Sequence, residues 1–220
     1  MMHLIVLIHG FQGYASDLAF LARQIGLEAE RRACQDSVHC LLVECNHERT
    51  TDSIVTQSQR IVDEISAWIQ RQSNNDSIQL SLVGHSLGGV KARCVAKLVA
   101  STHPSITLAH YVSVATPHLG SKYSGLVPSP AVELFAGQMG KELVLNDNPS
   151  SPLLLQMATD PSYTIPLASF RSRTAYAWSH TIHPCSSKLQ QFVQTTHASL
   201  PTPQKRLANH CGACSILFPS

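Results

Sequence analysis

Two rhythms of apolar and polar positions alternate along the first half of the chain. Residues 3–8, HLIVLI, form a nearly continuous apolar run ending in His-Gly, as expected of a strand buried on both faces. Past Asp17, which has the chemistry of an N-cap, Leu18, Leu21, Ala22 and Ile25 fall at helical spacing. VHCLLVEC (38–45) reads as a second strand. Asp52 or Ser53 can cap a further helix, with Ile54, Ile61, Ile65, Trp68 and Ile69 along one face. The cycle repeats with a strand at 78–84, a helix at 87–100 and a strand at 106–115. This alternation predicts an α/β fold, with a mostly parallel sheet and helices on both faces.

Beyond Thr116 the rhythm loosens. LVPSPAVELFAGQMGKELVL can supply one or two short helices, and NDNPSSP is a turn-rich break. RTAYAW (173–178) reads as a last strand, after which residues 179–220 show no sustained period. No internal repeat interrupts this order.

Composition excludes more than it identifies. Sixteen basic against 14 acidic residues give a net charge of +2, no basis for a nucleic-acid or acidic-membrane partner. The N-terminal apolar run lacks a basic flank and a small-residue cleavage site, so it reads as a strand and not as a signal peptide. No run approaches the roughly 18 apolar residues of a transmembrane segment. Seven scattered cysteines point to reduced thiols and a cytoplasmic setting, with peripheral membrane attachment left open. One asymmetry matters: every acidic residue lies at or before Asp160, and the residues after it include five basic and no acidic ones.

The chemistry centres on Gly84-His85-Ser86-Leu87-Gly88, which fits the G-x-S-x-G nucleophile elbow. A serine between a strand and a helix occupies a very tight turn, and glycines two before and two after it avoid clashes with the neighbouring strand and helix. The turn lifts the hydroxyl above the sheet edge, where the Leu87 N–H can donate to a developing oxyanion. The pattern is short, but a strand precedes it and a helix follows. A second donor is expected from the loop after the first strand, at His9-Gly10-Phe11, with the Phe11 or Gln12 N–H as the candidate.

Together VLIHGFQGYASDL, LVGHSLGGVKAR and YVSVATPHLGS resemble the DUF676 serine esterase family of lipase-like α/β-hydrolases. The motifs occur in the family's order, and the similarity runs from about His3 to Ala177. The resemblance implies a hydrolase fold, a Ser-His-Asp triad, ester substrates of lipid character and no cofactor or metal. His118 belongs to the ATPHLG motif, where the family uses it to shape the loop and not as the base.

The triad is less visible than the nucleophile. In this fold the order is Ser, then Asp or Glu, then His. Between Ser86 and the C-terminus the only acids are Glu133, Glu142, Asp147 and Asp160, all before the last strand. Asp147 and Asp160 read as turn formers, and the catalytic acid is left unassigned. His180, His183, His197 and His210 are available as base, with His183 favoured because it closely follows the last strand. The reading is a hydrolase domain over 1–178 with a lid-like insertion at about 117–166. Its C-terminal part is incomplete, and 179–220 form an irregular, disordered or non-native tail. HCGACS (210–215) reads as a chance C-x-x-C and not as a metal site. Three functions remain open: a serine esterase acting on lipid acyl esters, a catalytically impaired hydrolase-fold binding module or truncated product, and an acyl-protein thioesterase.

Overall fold

The computed structural model describes residues 1–34, 36–72, 77–121, 129–177 and 214–216, by backbone alone at 129–135 and 214–216. The apolar runs become strands β1 (Met2–Ile8), β2 (Ser37–Leu42), β3 (Ile78–His85), β4 (Thr107–Val114) and β5 (Ser172–Ala177). They form one sheet in the order β2-β1-β3-β4-β5, every neighbouring pair parallel. A three-residue strand, β6 (Cys214–Ile216), runs antiparallel beside β5. The helices are α1 (Ala19–Arg31), α2 (Ile54–Gln70), α3 (Leu87–Thr102), α4 (Ser129–Leu143), α5 (Leu153–Thr159) and α6 (Pro161–Ala168).

Side-chain parity along the strands decides what packs where. Leu4, Val6 and Ile8 of β1, Leu80 and Leu82 of β3 and Tyr111 of β4 form one buried cluster with Ile61, Val62 and Ile65 of α2 and Val95, Ala96 and Val99 of α3. Full burial of each such aliphatic side chain contributes about 1.5–3 kcal/mol. Cys40 of β2 pairs in register with Ile5, of opposite parity, and its thiol donates to Ala22 O of α1 at 3.8 Å. That places α1 on the other face. A second cluster joins Leu87, Val90 and Cys94 of α3 to Met139, Leu153, Leu154, Met157 and Tyr163.

The ends of the elements refine the sequence reading. Ser53 caps α2, its hydroxyl accepting from Thr56 N at 3.1 Å. Asp17 is not the cap of α1: a 3₁₀ turn (Ala15–Leu18) starts earlier, and the Asp17 carboxylate accepts from Tyr14 N at 2.8 Å. The stretch LVPSPAVELFAGQMGKELVL supplies α4, within the one or two short helices its pattern allows, and two further helices, α5 and α6, follow it before β5. Gly137 (φ 59°) breaks α4 where that helix meets Thr51. Asp160 accepts from Ser162 N at 2.7 Å, so the Asp-Pro pair ends α5 and starts α6. No helix among the described residues is long and apolar enough to cross a membrane.

Strand order reverses at β1: the chain moves outward to β2, then returns past β1 to β3, β4 and β5. Open α/β sheets bind ligands at the carboxyl ends of the strands beside such a reversal. Here those ends are Ile8 of β1 and His85 of β3.

Candidate active site

Ser86 forms the junction between β3 and α3, with φ 53° and ψ −125°. A non-glycine residue in that conformation costs about 1–3 kcal/mol and persists only where its surroundings enforce it. Here Ser86 N donates to Val114 O at 2.8 Å, while Gly89 N donates to Ser86 O at 3.1 Å. Close packing completes the enforcement. A Cβ on Gly84 would collide with the Gly89 backbone, and one on Gly88 with the Ile8 carbonyl. The start of α3 therefore rests directly on the ends of β3 and β1.

The loop after β1 reaches the serine. A Cβ built on Gly10 would lie 3.0 Å from Ser86 Cβ and 3.4 Å from Ser86 Oγ. Of the two donors the sequence offered, Gln12 N is engaged by Thr50 Oγ1 at 3.1 Å. Phe11 N and Leu87 N have no acceptor among the described residues. Leu87 opens α3, and the first N–H groups of a helix lack partners within it and carry its positive end.

The histidines near the elbow are engaged elsewhere. His9 is 2% exposed, and its Nδ1 donates to Gly10 O at 3.0 Å. Burial, then the charge of Lys91, lowers its pKa. His118 Nε2 and Ser113 Oγ share a hydrogen bond of 2.9 Å, and Arg93 Nη1 donates to His118 O at 3.4 Å. Burial, reinforced by Arg93, takes His118 down to about 4, so it is neutral at pH 7. Burial also lowers His85, against an opposing effect of Asp17. Among the described residues no side chain hydrogen-bonds Ser86 Oγ. His183 lies outside the described residues, as do Cys211 and the side chain of Cys214.

Of the acids after the elbow, Glu142, Asp147 and Asp160 have structural partners, and the Glu133 side chain lies outside the described residues. Asp147 Oδ2 accepts from Leu153 N at 2.9 Å. Glu142 Oε2 accepts from Ile54 N at 2.7 Å, at the start of α2. Burial, ahead of other influences, raises Glu142 to about 7.

Two contributors escaped the motif reading. The Tyr111 hydroxyl donates to Gly89 O at 2.7 Å, tying β4 to the first turn of α3. Lys91 is 0% exposed on the same helix. Its signal was present in the sequence, a lysine whose neighbours one helical turn away, Leu87, Gly88, Cys94 and Val95, are all apolar.

The family model described as "Putative serine esterase (DUF676)" matches residues 1–190. The chain belongs to this serine esterase family. A Saccharomyces cerevisiae protein named "Putative lipase YDL109C" is 28% identical over 192 residues, covering 80% of this chain and 28% of the yeast protein. The chain thus spans little more than a quarter of that curated relative. Among solved structures, a "putative cell surface hydrolase from Lactobacillus plantarum WCFS1" matches with a TM-score of 0.51 at 14% identity, covering 87% of this chain and 88% of the other. The DUF676 chain therefore shares the α/β-hydrolase fold, with a mostly parallel sheet as the sequence predicted.

Proposed function

We propose that this family member is a serine hydrolase cleaving carboxylic esters, with lipid acyl esters as the favoured class and Ser86 as nucleophile. The supporting observation is the backbone of Ser86, held at φ 53° at the junction of β3 and α3, with its Oγ beside Gly10. Ser86 Oγ attacks the ester carbonyl, and its proton passes to a histidine base, for which His183 is the candidate. Negative charge forms on the carbonyl oxygen and is received by the N–H groups of Phe11 and Leu87. Collapse of the tetrahedral intermediate expels the alcohol, protonated by the same histidine, and water then releases the acid.

A fluorophosphonate probe tests this reading. Wild type is labelled and Ser86→Ala is not; an unlabelled wild type overturns it. A second reading, an impaired hydrolase-fold protein, draws support from the lack of any side chain on Ser86 Oγ among the described residues. Loss of the triad carboxylate costs about 10⁴ in kcat while leaving weak catalysis by the oxyanion donors. Turnover of p-nitrophenyl esters near that of an intact-triad enzyme favours the first reading, and a deficit of about 10⁴ favours the second. Faster turnover of acyl-cysteine substrates would redirect the first reading to thioesters.

A further inference from the structure

Lys91 is wholly buried, and its Nζ has no hydrogen-bond partner among the described residues. A buried ammonium is normally paired, because removing it from water is costly. Its position explains what the charge can serve. Lys91 follows Leu87 by four residues, so its Cα lies about 6 Å along the helix axis from the start of α3. Helical side chains lean back toward the N-terminus, which directs the lysine stem toward the elbow. Gly88, three residues earlier on the same face, abuts the carbonyls of Ile8 and His9. The lysine thus lies on the side of α3 that faces the end of β1, and its charge acts on His9 and on Cys45. His9 Nε2, left as the accepting nitrogen by the Nδ1 bond to Gly10 O, is also buried without a partner.

We propose that Lys91 is a positioning residue for the reaction inferred above: its ammonium sets a positive potential beneath the Phe11 and Leu87 N–H groups, acting through the His9–Phe11 loop without touching substrate. This rests on Ser86 being the nucleophile. An unpaired cation in the resting protein meets its countercharge only when the oxyanion forms, which is the differential stabilisation that accelerates a reaction.

The neighbouring groups leave that charge uncompensated. From the loop after β1 the neighbour is His9, its pKa lowered by burial and then by Lys91 itself, with Asp17 and His47 exerting smaller and opposite effects on it. From the segment after β2 it is Cys45, whose thiol is pushed well above its usual range by burial and then Glu64. From α2, Ser58 Oγ donates to Lys91 O at 3.3 Å, while Glu64 and Arg60 act on Cys45 with opposite effects. Burial lowers Lys91 itself to about 8, so it is charged at pH 7 and loses its charge above pH 8.

The test is the rate of fluorophosphonate labelling and of p-nitrophenyl ester turnover across the alkaline range, in wild type and Lys91→Met. Wild type should slow as pH rises through about 8. Lys91→Met should lower kcat and the labelling rate about ten- to thirtyfold at pH 7, the loss expected when a unit charge acting at an effective dielectric near 20 is removed. KM should hold, the alkaline fall should vanish, and the melting temperature should not drop, because a buried charge has been removed. A wild-type rate that climbs without a fall through pH 9 overturns the proposal with no variant needed. So does a Lys91→Met protein that matches wild type in kcat, or that loses activity while keeping the alkaline fall. An unlabelled wild type is a separate outcome: it defeats the nucleophile reading and removes the oxyanion that Lys91 would serve.

Discussion

Gly88→Ala tests whether close approach between α3 and β1 holds the elbow. The added Cβ would lie 2.8 Å from Ile8 C and 3.0 Å from His9 O, and closer still to Ile8 O. Favourable contacts between heavy atoms begin at about 3.5 Å. The obstacles are backbone atoms at the end of β1, a strand paired to β2 on one side and β3 on the other, so they cannot rotate away. The start of α3 must then retreat by about 1 Å. Overpacking of this kind costs about 1–3 kcal/mol, against about 0.5–1 kcal/mol that alanine gains over glycine in a helix. A displacement of about 1 Å at a reacting atom costs on the order of 10² in rate. Gly26→Ala in α1 is the control, because a Cβ there meets nothing within 4 Å. Urea unfolding should show Gly88→Ala destabilised by about 1–2 kcal/mol with an unchanged m-value. Gly26→Ala should be stabilised by about 0.5–1 kcal/mol. Fluorophosphonate labelling should fall about a hundredfold in the folded Gly88→Ala protein and stay unchanged in the control. A Gly88→Ala protein as stable and as readily labelled as wild type would refute the reasoning.

Two further outcomes follow from the site. Ser86→Gly relieves the φ 53° backbone that Ser86→Ala retains, so glycine should give the more stable protein by about 1 kcal/mol; equal urea midpoints would remove the argument from strain. Glu142 is raised to about 7 by burial, so between pH 4.5 and 7 the folded state holds a proton that the unfolded state has lost. Stability therefore falls as pH rises through that window, and Glu142→Gln should flatten the fall and be the more stable form at pH 8; parallel melting-temperature profiles would contradict this.

The strands and the tight β3–α3 junction at Ser86 were legible because period and motif report the same local chemistry. HLIVLI and IQLSLVG are apolar runs whose only stable place is inside a parallel sheet, and G-x-S-x-G between a strand and a helix has one geometry. Asp17 misled because Asp is favoured both at an N-cap and inside a capping turn, and the choice depends on where the chain begins to turn. Helices α5 and α6 were not read from the sequence because they are too short to show a period. The cap at Asp160 and the break at Gly137 are set by contact with Thr51 and α6, not by periodicity. Lys91 was missed for a different reason. A lysine is assigned to solvent by default, and only packing against α2 and the loop after β1 reveals its burial.

Several departures from ordinary protein chemistry lie at the carboxyl ends of the strands, among them three of the six non-glycine residues with positive φ in the described residues. Non-glycine residues with positive φ include Gln12, Ser86 and Ala115, which follow the ends of β1, β3 and β4. His9 Nε2 and Lys91 Nζ, buried without partners, lie in the same neighbourhood. Away from those ends polar groups on the sheet pair conventionally: His3 with Ser81 and His110 with Ser172, each at 2.7 Å. A strained serine and an unpaired ammonium both reduce stability, and the proposed reaction would account for both, the serine as its nucleophile and the ammonium as a charge that favours the oxyanion. A chain needing only a strand-to-helix connection could place glycine at 86 and leucine or methionine at 91, with gains from both. Serine and lysine, five residues apart at this junction, are the two features that the reaction proposed above would use.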